Sequence, residues 1–236
     1  FLLATPGDQY GQQFLSDGLD RSPGITMNSD DCLIIIDVQN DFCSGGALAV
    51  PEGDAVVAVI NRLGDHFAHR ILTQDWHPAN HRSFASNHHG ASVMQITELD
   101  YGPQVLWPDH CVQGSAGAKF HPELETQGCE MIVRKGFRPE IDSYSAFFEN
   151  DQRTSTGLAG YLRDRGFGKL YLAGLATDFC VLYSALDGRK EGFDVCLIED
   201  ACRGIDLDGS LDVALDQMKQ VDIQVVQSTR LLSEPA

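Results

Sequence analysis

Cys32-Leu33-Ile34-Ile35-Ile36-Asp37 places five apolar residues in a row and closes them with a carboxylate, the pattern of a strand buried on both faces of a sheet. The same reading extends outward along the chain. Residues 55–63 have the spacing of an apolar helix, and 69–74, 131–135 and 169–173 read as a second, third and fourth strand. Helices are predicted over 157–165, 178–190 and 210–220, with further strands over 194–198 and 222–226. Strands alternating with helices build a mostly parallel central sheet with helices on both sides, a three-layer α/β/α fold. Residues 27–236 read as a single domain, with neither an internal repeat nor a second core. Residues 1–26 are polar, lack hydrophobic period and read as a leader or tag-like tail, the alternative being an arm that packs on a partner subunit. The stretch 77–128 breaks the alternation. It has little strand signal and holds most of the histidines, and loops of that length serve as lids and pocket walls.

The chain has 236 residues, enough for a substantial core without disulfides. Its 34 acidic residues against 17 basic ones give a formal charge of −17, which repels phosphate backbones and anionic headgroups and argues against nucleic-acid and membrane-surface roles. No run of about 18 apolar residues is present, so no membrane-spanning helix is expected. Seven cysteines, an odd number without a C-x-x-C pair, fit a reducing compartment and lead to a cytoplasmic expectation.

Ligands of open parallel sheets sit outside the carboxyl ends of the strands, and four strands deliver a reactive side chain there: Asp37, Asp75, Lys135 and, after a short loop, Cys180. Cys180 falls near a helix start, where unpaired N–H groups favour a thiolate, and Lys135 would lower its pKa further. Asp37 would move the thiol proton, and the amides of Ala176 and Cys180 would hold an oxyanion. That is an acyl-transfer site; an Asp–Lys ion pair beside an inert thiol is the competing reading. A second set is Asp75 and His77, which point to one side of an extended chain, joined by His110. One carboxylate and two imidazoles suit Zn²⁺, Fe²⁺ or Mn²⁺ with coordination positions left open. His81 serves equally well as a ligand or as a partner of a loop carbonyl.

Six motifs carry a family resemblance: Asp37-Val38-Gln39-Asn40-Asp41-Phe42, 74–81 (Q-D-W-H-P-A-N-H), 107–113 (W-P-D-H-C-V-Q), Lys135-Gly136, 142–148 (D-S-Y-S-A-F-F) and 174–181 (G-L-A-T-D-F-C-V). In this order, from about residue 31 onward, the chain resembles the bacterial nicotinamidases of the isochorismatase-like cysteine hydrolases. The resemblance implies Asp37, Lys135 and Cys180 as catalytic triad and Asp75, His77 and His110 as ligands of a divalent metal (Zn, Fe or Mn) that takes the pyridine nitrogen of the substrate. It further implies that Phe42 and Trp107 sandwich the ring, that Tyr144 closes the pocket, and that the Leu175–Ala176 bond is cis. The implied reaction is hydrolysis of nicotinamide, and of pyrazinamide, to acid and ammonia through a cysteine thioester, a step of NAD salvage. Some relatives add a glutamate ligand roughly ten residues after the metal aspartate; Ser86 stands there, leaving His81 as the candidate fourth ligand. Three alternatives stay open at this level: a cysteine amidohydrolase for a carbamoyl or ureido substrate, a hydrolase whose metal-bound water attacks with Cys180 as bystander, and a non-catalytic binding domain. Whether the chain forms a homo-oligomer is likewise open.

Overall fold

The structure is a computed structural model that describes Ile25 and residues 27–232. The expected 1–26 tail therefore lies outside the described residues apart from Ile25, whose N–H donates to Arg230 O at 3.1 Å. In chain order the elements are β1 (Asp31–Ile36), α1 (Ala55–Gly64), β2 (His69–Asp75), β3 (Ile96–Leu99), β4 (Gly102–Val105), β5 (Met131–Lys135), α2 (Leu158–Asp164), β6 (Lys169–Leu175), α3 (Leu182–Lys190), β7 (Asp194–Arg203), α4 (Ser210–Gln220), β8 (Gln224–Val226) and α5 (Thr229–Leu232). Six strands form one sheet in the order β5–β2–β1–β6–β7–β8, and every neighbouring pair in it is parallel.

All six residues of β1 are buried, and their alternation divides the core. Leu33 and Ile35 pack with Val57, Ile60 and Leu63 of α1. Cys32, Ile34 and Ile36 pack on the other face with Leu158 and Leu162 of α2, Ala185 of α3 and Met218 of α4. A strand with a covering layer on each side has no polar face to show, which is why its sequence is an unbroken apolar run. The chain proceeds from β1 to β2 and β5 on one side, then returns to place β6 on the other. Strand order thus reverses between β1 and β6, opening a crevice at their carboxyl ends. Gly174 lets β6 close on β1 there: at φ +124° any Cβ would stand 2.0 Å from Ile36 O.

Several expected boundaries shift for local reasons. β7 runs on to Arg203 past the charged pair Glu199-Asp200, with a register irregularity opposite Leu172–Gly174. Asp200 is satisfied there by Ser228, accepting its N–H at 2.7 Å. The strand expected over 222–226 is shorter because Asp222 adopts φ +58° in the turn after α4. The helix expected over 178–190 is in two parts: a π-helical turn, Thr177–Val181, then α3. Within 77–128, β3 and β4 form an antiparallel hairpin; its strands are four residues each, with Ile96 66% exposed and a Gly-Pro start to β4, so no alternation announces them.

Candidate active site

Sheet register does the first part of the assembly. Asp75 and Lys135 are direct partners across β2 and β5, and Asp37 follows the last residue of β1 with φ +49°. Asp37, Asp75 and Lys135 are all buried. Thr73, on β2, orients Asp37 twice: its hydroxyl accepts the Asp37 N–H at 3.1 Å and donates to Oδ1 at 2.6 Å. Asp37 Oδ2 lies 2.8 Å from Lys135 Nζ yet accepts no well-aligned hydrogen bond among the described residues. Lys135 Nζ also donates to Asp75 Oδ1, to Ser143 O at 2.9 Å and to Cys180 Sγ at 3.4 Å. A carboxylate oxygen of Asp37, one of Asp75 and the Cys180 sulfur all lie within 4.8 Å of one another.

Cys180 is carried by the π-helical turn. Ala176 O accepts the N–H of both Phe179 and Val181, each at 3.1 Å, and the wide turn keeps the thiol over Lys135. Asp178 pins the outer side of the pocket by accepting the N–H groups of Ile205 at 3.0 Å and Asp206 at 2.8 Å. Ser184 ties α3 to the loop after β5, donating to Cys180 O at 2.6 Å and accepting Ala146 N–H at 2.9 Å. The Leu175–Ala176 peptide bond is cis.

The electrostatics correct one expectation. Burial pushes the Cys180 thiol well above its ordinary pKa; Lys135 opposes this, while Asp37 and Asp75 add to it. The single ammonium is already shared by two carboxylates, so little of its field is left to stabilise a resting thiolate. Burial also raises Asp37, against the pull of Lys135. Burial would discharge Lys135, but Asp37 and Asp75 outweigh it and hold the ammonium protonated. Burial thus raises both the thiol and the carboxylate that faces it, an arrangement suited to proton transfer between them at the moment of attack.

The second set also converges. Asp75 Oδ2 faces His77 Nε2 at 3.5 Å and His110 Nε2 at 3.9 Å. Each ring has its Nδ1 against a backbone carbonyl, His77 on Gly136 O and His110 on Pro108 O, both at 2.8 Å. A carbonyl only accepts, so each Nδ1 carries a proton and each Nε2 is turned toward Asp75, the ring orientation a metal ligand needs; burial would lower the His77 pKa, but Asp75 outweighs it and raises it. Burial, with His77 beside it, lowers the His110 pKa to about 4. Cys43, Asp54 and His121 come equally close elsewhere, but His121 Nδ1 accepts the Glu123 N–H at 3.2 Å, which puts its proton on the Nε2 that faces Asp54 at 3.3 Å. That cluster is a close imidazole–carboxylate pair beside a thiol. His81 is set aside in the same way: Nδ1 accepts Ser83 N–H at 3.3 Å and Nε2 meets Ile141 O at 3.2 Å. Ser86 is exposed and donates to Asp109.

Between the two sets lies a small pocket. Phe42, Trp107, Tyr144, Asp75, His110, Ala176 and Cys180 line it, together with Leu48, Asp142, Phe179 and Ile205. The Tyr144 hydroxyl is held by Trp107 Nε1 at 3.1 Å and Gln104 Nε2 at 3.0 Å. Thr73, Gly136, Asp142 and Asp178 are the contributors that sequence reasoning left without a role. Gly136, Asp142 and Asp178 stand inside motifs already quoted, which was the available signal; Thr73 stands in none.

A thiol, an ammonium and a carboxylate meeting at the switch point of a parallel α/β sheet define a cysteine hydrolase. Residues 31–230 match the model of the Isochorismatase domain, and the chain belongs to the isochorismatase family. It is 51% identical, over 85% of its length and 94% of the relative's, to a nicotinamidase of Acinetobacter baylyi. Among solved structures it is similar to an Acinetobacter baumanii nicotinamidase/pyrazinamidase (TM-score 0.86, 51% identity, 87% of this chain and 100% of that one). The pyrazinamidase of Pyrococcus horikoshii in complex with zinc also resembles it (TM-score 0.68, 35% identity, 84% and 99% covered).

Proposed function

We propose that this chain is a nicotinamidase, hydrolysing nicotinamide to nicotinate and ammonia, with pyrazinamide as a second substrate. One observation carries the reading: a single aromatic-walled pocket is bordered by the Cys180 thiol and by the imidazole and carboxylate of His110 and Asp75. A flat ring with an amide on one side and a basic nitrogen on the other meets both. Phe42 and Trp107 would flank the ring and Tyr144 close over it.

Cys180 gives its proton to Asp37 as sulfur attacks the carboxamide carbon, and the amides of Ala176 and Cys180 receive the oxyanion. Asp37 passes the proton to the amide nitrogen, the C–N bond breaks, and ammonia leaves a thioester. Water then loses a proton to Asp37 and attacks the thioester; the C–S bond breaks and Asp37 returns the proton to sulfur. Lys135 stays protonated throughout, holding Asp37 and stabilising sulfur when it is anionic. A divalent ion (Zn, Fe or Mn) bound by Asp75, His77 and His110 would supply a Lewis-acid contact for the ring nitrogen, which orients the amide. We also propose the cytoplasm as compartment, supported by seven free cysteines.

The test is ammonia release from nicotinamide and from benzamide, each with and without a chelator. Benzamide lacks the ring nitrogen and should turn over roughly 100-fold more slowly, and the chelator should depress only the nicotinamide rate strongly. Equal rates for the two amides would overturn the orienting role of the metal, and no ammonia from either would overturn the activity.

Gly136→Ala probes the metal set from outside it. Gly136 has φ +62°, and a Cβ would stand 2.4 Å from His77 Cε1. The ring must move off its carbonyl, so metal content after dialysis should fall while far-ultraviolet dichroism is kept. An unchanged metal content would mean that the Gly136–His77 contact does not position the ligand.

A further inference from the structure

Asp142 lies in the loop after β5, lines the same pocket and is 2% exposed. Its oxygens accept hydrogen bonds from neutral donors, Oδ1 from Ser143 N–H at 2.8 Å and Oδ2 from Gln104 Nε2 at 3.0 Å. The arginines around it are committed elsewhere: Arg82 pairs with Asp100 at 3.3 Å and Arg138 with Glu149. Lys135 pairs with Asp37 and Asp75. Among the described residues no lysine or arginine pairs with Asp142, and a buried carboxylate held by neutral donors alone is a costly arrangement; such groups are normally paired or turned toward a metal.

The charge balance says which cation Asp142 serves. Lys135 sets one positive charge against the two negative charges of Asp37 and Asp75. A dication added at Asp75, His77 and His110 would leave that buried cluster with one positive charge in excess, and a single further carboxylate cancels it. Asp142 is in position to do so: one of its oxygens comes within 4.8 Å of ring nitrogens of both His77 and His81. Both nitrogens of His81 have protein partners, whereas Nε2 of His77 opens toward Asp75.

We propose that Asp142 is the charge-balancing second carboxylate of the cation site, strengthening the hold on an ion bound by Asp75, His77 and His110 without displacing any of the three. The inference rests on the metal reading given under the proposed function. It assigns to Asp142 a positioning role, which acts on ion affinity first and on turnover only through it.

The experiment is chelator competition with Mn²⁺ and with Zn²⁺ on the full chain, with the melting temperature of the metal-free protein recorded beside it. Asp142→Asn keeps the shape and removes the charge; it should bind each ion roughly 10- to 100-fold more weakly. Asp142→Glu restores the charge and should recover most of that loss. Unchanged affinity in Asp142→Asn overturns the proposal. If Asp142→Asn melts far below the unaltered chain, the double variant Asp142→Asn/Gln104→Glu decides, because it moves the charge across one hydrogen bond: recovered affinity supports the proposal and continued loss overturns it. His77→Ala keeps the two layers of inference apart. Undiminished binding in His77→Ala removes the metal site itself, whereas binding lost there and kept in Asp142→Asn overturns the role of Asp142 alone.

Discussion

Replacing Cys180 by Ala should lower ammonia release by roughly 10⁴-fold or more and leave binding of metal and of nicotinamide in place. The size of the effect follows from the division of labour. Phe42, Trp107 and Tyr144 form walls that do not depend on the sulfur, and Asp75, His77 and His110 form a set that excludes it. The acyl acceptor, in contrast, has no substitute among the pocket's side chains, since Asp37 and Asp75 are held by Lys135. Cys180→Ser would also be slow, because a buried hydroxyl is harder to deprotonate than the thiol it replaces. Two measurements separate this from a metal-bound water mechanism. Acid quench of the unaltered enzyme during turnover should leave a nicotinoyl adduct on the peptide containing Cys180, and Cys180→Ala with full metal should stay inactive. Near-normal turnover by that variant would return the nucleophile to a metal-bound water.

The layers of the fold were legible because burial on both faces leaves a mark in sequence. Cys32–Ile36 read as a strand buried on both faces, and the reactive residues at or just after the ends of four strands could be placed on one rim before any coordinates. Chemistry that depends on register or on backbone contacts was not legible. That Asp75 sits opposite Lys135 is a pairing fact, and nothing in either strand announces it. The thiol's raised pKa was missed because the sequence shows the lysine and neither the thiol's burial nor how many carboxylates divide the lysine's charge. His81 and His110 look alike as letters in a loop; they differ in whether Nδ1 meets a carbonyl or an N–H, and only folded backbone decides that. The β3–β4 hairpin was silent for a simpler reason, its four-residue strands being too short and too exposed to show a period.

The second large effect is expected at Lys135, where activity and stability fall together. Lys135→Met keeps most of the side-chain volume and removes the ammonium from a site that is 1% exposed. Asp37 and Asp75 are then left buried, close together and without a counter-ion, and breaking a buried pair in this way costs about 3–5 kcal/mol. Turnover should be lost as well, since Asp37 is no longer oriented and the sulfur has no cation beside it. A simple cavity or packing defect would give the first result without explaining the second, so the decisive measurement is a double-mutant cycle in urea with a chelator present. Adding Asp37→Asn to Lys135→Met removes one of the stranded charges, and the pair should be more stable than Lys135→Met alone by roughly 0.5–3 kcal/mol. Metal should help the single variant for the same reason, because an ion at Asp75 supplies positive charge there, but it should not restore turnover, because Asp37 remains unpaired. Strict additivity of the two substitutions would mean that Lys135 holds the site by packing, and the account of the site as one buried cation shared between two carboxylates would have to be given up.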